Sequence, residues 1–131
     1  FRVPHREEYS EAVGFRIDGP SKSALFIPDI DKWSKWERDL AEQVRDVDYA
    51  LIDATFFSNG ELPNRDMAQV PHPFVVESMA VLDELPAAER AKVWFIHFNH
   101  SNPLLDANSE ASQAVREAGY NIAVEGVRLG L

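Results

Sequence analysis

ALFIPDIDKWSKWERDLAEQVRDVDYALIDATFF, residues 24–57, sets the fold class. It opens on the apolar run Ala24-Leu25-Phe26-Ile27, which reads as a strand. Trp33, Trp36, Leu40, Val44 and Val47 then recur at steps of three and four, the spacing that gathers apolar side chains on one helical face. An amphipathic helix over residues 30–46 is predicted. Residues 49–57, YALIDATFF, return to strand character.

Outward from this segment the pattern continues. Residues 12–17 (AVGFRI) alternate, and the turn Asp18-Gly19-Pro20 joins them to the 24–27 strand as a hairpin. Residues 58–71 are polar and rich in turn formers, a surface loop longer than most connections and of the kind that flanks sites. Pro71 and Pro73 mark the entry of an apolar helix over residues 74–85, and Pro86 ends it. Val93-Trp94-Phe95-Ile96 is a buried strand, broken off by Asn102-Pro103. A helix over residues 109–118 is closed by Gly119 at C′, and residues 121–127 supply a last strand. The order β-β-α-β-α-β-α-β predicts one α/β unit over residues 1–131, a sheet with helices packed on it and loops at the C-terminal strand ends.

Composition bounds the partners. A chain of 131 residues, 45% hydrophobic, supplies one core. With 22 acidic against 13 basic residues its net charge is −9, which opposes phosphate backbones and anionic lipid, so neither nucleic acid nor membrane is an expected partner. No cysteine is present, so any metal must be held by imidazole and carboxylate. There is no apolar run fit to span a membrane and no signal-peptide start, which makes a cytoplasmic location the expectation. The chain begins at Phe1 and not at methionine, implying processing or truncation.

His5, His72, His97 and His100 all fall in loops or at strand edges. Asp29 follows the 24–27 strand through Pro28, and Asp53 interrupts the next strand. Carboxylates so placed need a partner when buried, and a cation is one. Capping or turn bonds are the alternative for both; for Asp31, in DIDKW, helix capping is the preferred reading. Imidazole with carboxylate suits zinc, iron or manganese, and such an ion lowers the pKa of bound water toward neutrality. No short-range ligand motif such as HExxH is present, so these residues alone leave the site open. Trp33 and Trp36 read as packing, and Arg6-Glu7-Glu8 as a solvated turn.

Taken in order, VPHREEYSEAVGFRI, LFIPDID, DYALIDATFF, QVPHPF and FIHFNHSNPLLD resemble the second half of the metallo-β-lactamase superfamily, over nearly the whole chain. The resemblance implies an αββα sandwich of which this is the second αβ half, with His5, Asp29 and His97 as metal ligands and Asp29 bridging two ions. DYALIDATFF is similar to a segment of the tRNA 3′-processing endonucleases, and QVPHPF takes the place of their GHS motif, which nominates Asp53 and His72 as a catalytic acid/base pair. The tail from residue 96 is most similar to the pyrroloquinoline-quinone biosynthesis protein B family, where His97 matches and His100 falls on an asparagine. His100 is therefore ranked as a supporting or solvent residue. The superfamily's HxHxDH motif is absent from these residues, its usual place being upstream of Phe1, so this polypeptide alone is expected to be a poor catalyst.

The resemblance thus implies a metal-dependent hydrolase, holding one or two zinc ions (or iron or manganese) and acting on an ester-like bond, phosphodiester or lactone, of a small-molecule substrate. A redox-metal protein of quinone-cofactor biosynthesis and a non-catalytic binding half-domain are the alternatives. A half-sandwich must cover its open sheet face, so a homo-oligomer or association with the missing N-terminal half is expected.

Overall fold

Three apolar runs form the centre of the sheet. In the computed structural model, which describes residues 1–6 and 10–131, β2 (Ser23–Ile27), β3 (Tyr49–Asp53) and β4 (Val93–Ile96) lie side by side and parallel. β1 (Phe15–Asp18) pairs antiparallel with β2, as the hairpin reading predicts, and β5 (Asn121–Ile122) pairs parallel with β4. The order is β1-β2-β3-β4-β5. Glu7 and Glu8 of the charged turn lie outside the described residues.

Alternation sends Leu25, Ile27, Ala50, Ile52, Val93 and Phe95 to one face. There they share one buried cluster with Leu40 and Val44 of α1 (Leu40–Arg45), Val75 and Leu82 of α2 (Val75–Leu82), and Val115 of α4 (Glu110–Glu117). Each large side chain buried in this way contributes about 1.5–3 kcal/mol, which fixes the helices to the sheet. On the other face Ala24, Phe26, Leu51 and Ile17 meet Val127, Leu129 and Leu131 around a shallow apolar cavity of about 240 Å3. Helices cover one side of the mixed sheet and C-terminal residues part of the other. This is the α/β layer pair implied by the sequence.

Several boundaries differ from expectation, the first strand among them, which spans Phe15–Asp18 and not residues 12–17. The helix over residues 30–46 is two pieces: a 3-10 turn, Trp33–Lys35, and α1. Trp36 is extended, and Asp39 starts α1 by accepting the Glu42 N–H at 2.9 Å. Both tryptophans are buried in the core, and Trp33 Nε1 donates to Ser78 Oγ at 2.8 Å. Asp31 braces the turn by accepting the Lys32 N–H and pairing with Lys35, both at 2.7 Å, while Lys32 holds the N-cap position. β3 stops at Asp53, whose carboxylate captures the Thr55 N–H at 2.8 Å and turns the chain. α2 stops at Leu82, short of Pro86, and a one-turn helix α3 (Ala87–Arg90) follows. β5 holds only two residues of the expected 121–127 strand, ending where Ala123 N–H bonds Phe95 O. α4, Glu110–Glu117, lies one residue inside the predicted bounds at each end, with Ser109 as N-cap and Gly119 at φ +90°.

Candidate metal centre

Parallel strands that start in register end at one edge, and in open α/β sheets that edge is where ligands bind. Here Ile27 aligns with Ile52, and Asp53 with Ile96. Asp29 follows β2 by two residues, Asp53 is the last of β3, and His97 is the first after β4, so all three reach the same rim. His72 arrives from the loop over residues 58–71, where Phe56 bridges to Phe74 and Val75 N–H bonds Phe56 O at 3.0 Å. Asp29, Asp53, His72 and His97 each present a donor atom, all within 4.8 Å of one another.

The supporting loops are tied together. Glu61 accepts the Phe57 N–H at 2.7 Å and the Ser101 hydroxyl at 2.5 Å, joining the His72 loop to the one after β4. Met67, fully buried, anchors the same loop and accepts the Leu62 N–H at 3.2 Å. Buried Asn102 donates to Ala54 O at 2.7 Å, which ties the β4 loop to the end of β3. His97 has φ +63°, a left-handed backbone that costs a non-glycine residue about 1–3 kcal/mol and persists only where its surroundings enforce it.

Asp53 is completely buried, and its oxygens are saturated. Oδ1 accepts the Thr55 N–H at 2.8 Å and the Thr55 hydroxyl at 2.7 Å; Oδ2 accepts the Ile30 N–H at 3.1 Å and faces His72 Nδ1 at 2.8 Å. Thr55 Oγ1 lies 3.0 Å from His97 Nδ1 and 3.2 Å from His72 Nδ1, so one hydroxyl touches three members of the group. Asp29 differs. Its Oδ1 is buried with no hydrogen-bond partner among the described residues, yet it lies 3.2 Å from His5 Nε2 and 3.4 Å from His72 Nδ1. Donor atoms around a tetrahedral ion with bonds of about 2.1 Å stand roughly 3.4 Å apart, so an orphaned carboxylate oxygen among imidazoles at these separations fits a cation.

Burial works to raise the Asp53 pKa, but the contacts from His72, His97 and Thr55 outweigh it and hold the carboxyl below its ordinary range. The Asp53 carboxylate in turn raises the His97 imidazole above its ordinary 6.5, against an opposing burial effect. A raised histidine stabilises the fold fully below its unfolded pKa and loses that contribution as pH climbs through the folded value. In chelator-treated protein, wild type should therefore lose stability relative to His97→Gln as pH rises above 6.5, as melting curves across pH would show. Metal uptake should run the other way, strengthening with pH because imidazole must shed its proton to ligate.

His5 stands at the margin, against Asp29 but outside the group of four, its ring 6.0 Å from that of His72. His100 is exposed and also outside the group. Sequence reasoning missed Thr55 and Asn102. A hydroxyl in DATFF carries no ligand pattern, although NP, the Asn102-Pro103 pair, did flag a turn.

A sheet edge that gathers two aspartates and two histidines, with helices on one face, describes an α/β protein with a candidate metal site. The chain belongs to the beta-lactamase superfamily, whose family profile, described as the beta-lactamase superfamily domain, matches residues 1–98. Among curated relatives it is 29% identical over 132 residues to coenzyme PQQ synthesis protein B of Methylobacterium nodulans, covering 95% of this chain and 42% of that protein. The protein of the same name from Gluconacetobacter diazotrophicus is 25% identical over 127 residues, covering 93% of this chain and 40% of the relative. The chain thus spans less than half the length of these relatives. A solved structure, Zn(2+)-bound PqqB from Methylobacterium extorquens, superposes with a TM-score of 0.74 over 92% of this chain and 44% of that one, at 22% identity. That likeness carries the fold.

Proposed function

We propose that this chain supplies the metal-holding rim of a metallo-β-lactamase-fold hydrolase acting on an ester-like bond of a small molecule. The observation that carries the reading is the convergence of Asp29, Asp53, His72 and His97 within 4.8 Å around a buried, unpartnered oxygen of Asp29. All four would hold the ion, and His5, whose Nε2 lies 3.2 Å from Asp29 Oδ1, would stand beside them. Asp53 and His72 take this role in place of the acid/base pair suggested by the resemblance, since a completely buried carboxylate cannot reach a substrate. The His72 contact to Asp53 needs a proton on Nδ1, and a cation would stand in for that proton. When bound, the ion supplies an activated water. The chain's own residues fix the ligands, through Thr55 and the Glu61–Ser101 tie.

A second reading, a redox-metal role in PQQ-type cofactor biosynthesis, draws on the relatives' names and on the suitability of His/Asp donors for iron. Elemental analysis of the purified protein separates the two. About one or two zinc ions per chain, lost in His72→Ala and His97→Ala, is the expected result, and iron moves the weight to the second reading. No metal in any form would sink both.

A further inference from the structure

We infer that Thr55 is a positioning residue that selects the nitrogen through which His97 would hold a metal ion: its hydroxyl keeps a hydrogen on Nδ1 and leaves Nε2 to ligate. The inference deepens the metal-centre reading and rests on it for the ion. Which nitrogen carries the hydrogen can be read with or without a metal.

The direction of the hydrogen bonds is the first argument. A threonine hydroxyl has one hydrogen to give and two lone pairs that accept. Both Asp53 oxygens act as acceptors, Oδ1 from the Thr55 N–H at 2.8 Å and Oδ2 from the Ile30 N–H at 3.1 Å. Thr55 Oγ1 lies 2.7 Å from that Oδ1, so the hydroxyl hydrogen goes to Asp53. The same hydroxyl oxygen stands 3.0 Å from His97 Nδ1, and with its hydrogen committed it meets that nitrogen only as an acceptor. Nδ1 is therefore the N–H of the ring, and the lone pair of the neutral imidazole sits on Nε2.

A fixed backbone is the second. Ala54 N–H bonds Ile96 O at 2.9 Å and Asn99 N–H bonds Thr55 O at 2.9 Å, so Ala54-Thr55 is stitched to the chain on both sides of His97. Buried Thr55 cannot drift from the imidazole that it faces. His72 supplies the contrast. Its Nδ1 lies 2.8 Å from Asp53 Oδ2 and 3.4 Å from Asp29 Oδ1, with the Thr55 hydroxyl farther than Asp53 at 3.2 Å. Two carboxylates there suit a cation in place of a hydrogen, whereas a hydroxyl that only accepts does not. The two histidines would thus enter the site through different nitrogens, His72 by Nδ1 and His97 by Nε2.

Nitrogen NMR of isotope-labelled histidine rings tests this, in chelator-treated protein at alkaline pH and again after loading with zinc. The metal-free His97 ring should carry its hydrogen on Nδ1; with zinc, the Nε2 resonance should shift while Nδ1 keeps its hydrogen. Thr55→Val keeps the shape without the hydroxyl and should weaken zinc binding about 10–100-fold, while Thr55→Ser, which restores the hydroxyl, should recover most of that loss. A metal-free ring with its hydrogen on Nε2, zinc on Nδ1 of His97, or a valine variant that binds zinc like wild type overturns the inference. The wild-type spectra decide even where the valine variant does not fold. An Nδ1–H ring in wild-type protein that takes up no zinc keeps the role of Thr55 and defeats the metal reading; zinc held through Nδ1 does the reverse.

Discussion

Asp53→Ala should cost the metal-free protein about 3–5 kcal/mol of unfolding free energy, a large share of the roughly 5–15 kcal/mol that holds a domain together. Four donor groups lose their acceptor at once: the Ile30 N–H, the Thr55 N–H and hydroxyl, and His72 Nδ1. Complete burial of Asp53 keeps these donors from bulk solvent. Asp53→Asn keeps the volume and one acceptor oxygen but turns an NH2 toward donors, so its loss should be intermediate. Urea denaturation with chelator present measures both. A change below about 1 kcal/mol for the alanine variant would show that the carboxylate does not organise this end of the sheet.

Asp29→Ala should separate binding from folding. Its Oδ1 has no hydrogen bond to lose and its side chain is 41% exposed, so metal-free stability should stay within about 0.5 kcal/mol of wild type. Zinc affinity should fall by more than the roughly 10–100-fold that follows loss of a group merely supporting a ligand. Competition against a chromogenic chelator reads the affinity and urea denaturation the stability. Unaltered zinc binding would remove Asp29 from the ligand set and leave its orphaned oxygen without a purpose. The two aspartates, alike in sequence context, are thus expected to respond oppositely.

That contrast shows what a sequence can and cannot carry. Asp29 and Asp53 stood out because each ends or interrupts an apolar run, where an unpaired carboxylate is costly. The three parallel strands were legible for the same reason, in that ALFI, YALI and VWFI admit no amphipathic alternation. The broken helix was not, since Trp33, Trp36, Leu40 and Val44 fit a 3.6-residue period whether or not the backbone is continuous. Asp39 and Glu42, spaced as a helix-start signal inside that run, were the cue. Thr55 was hidden because its importance lies in three contacts brought from residues far apart in the chain, and the shortness of β5 because pairing length depends on what lies beyond the edge of β4.

The alignment of Ile27 with Ile52 and of Asp53 with Ile96 also governs which changes of length the gene can tolerate. One codon gained or lost within β2, β3 or β4 would move a donor by about 3.3 Å along its strand and turn it to the opposite side, so the ion would be lost even from a chain that still folded. The stretch from Ser58 to Gly60, ahead of the Glu61 anchor, carries no such constraint. Length variation among descendants of this sequence should collect there and spare the strands, recording the rim as a boundary on the reading frame.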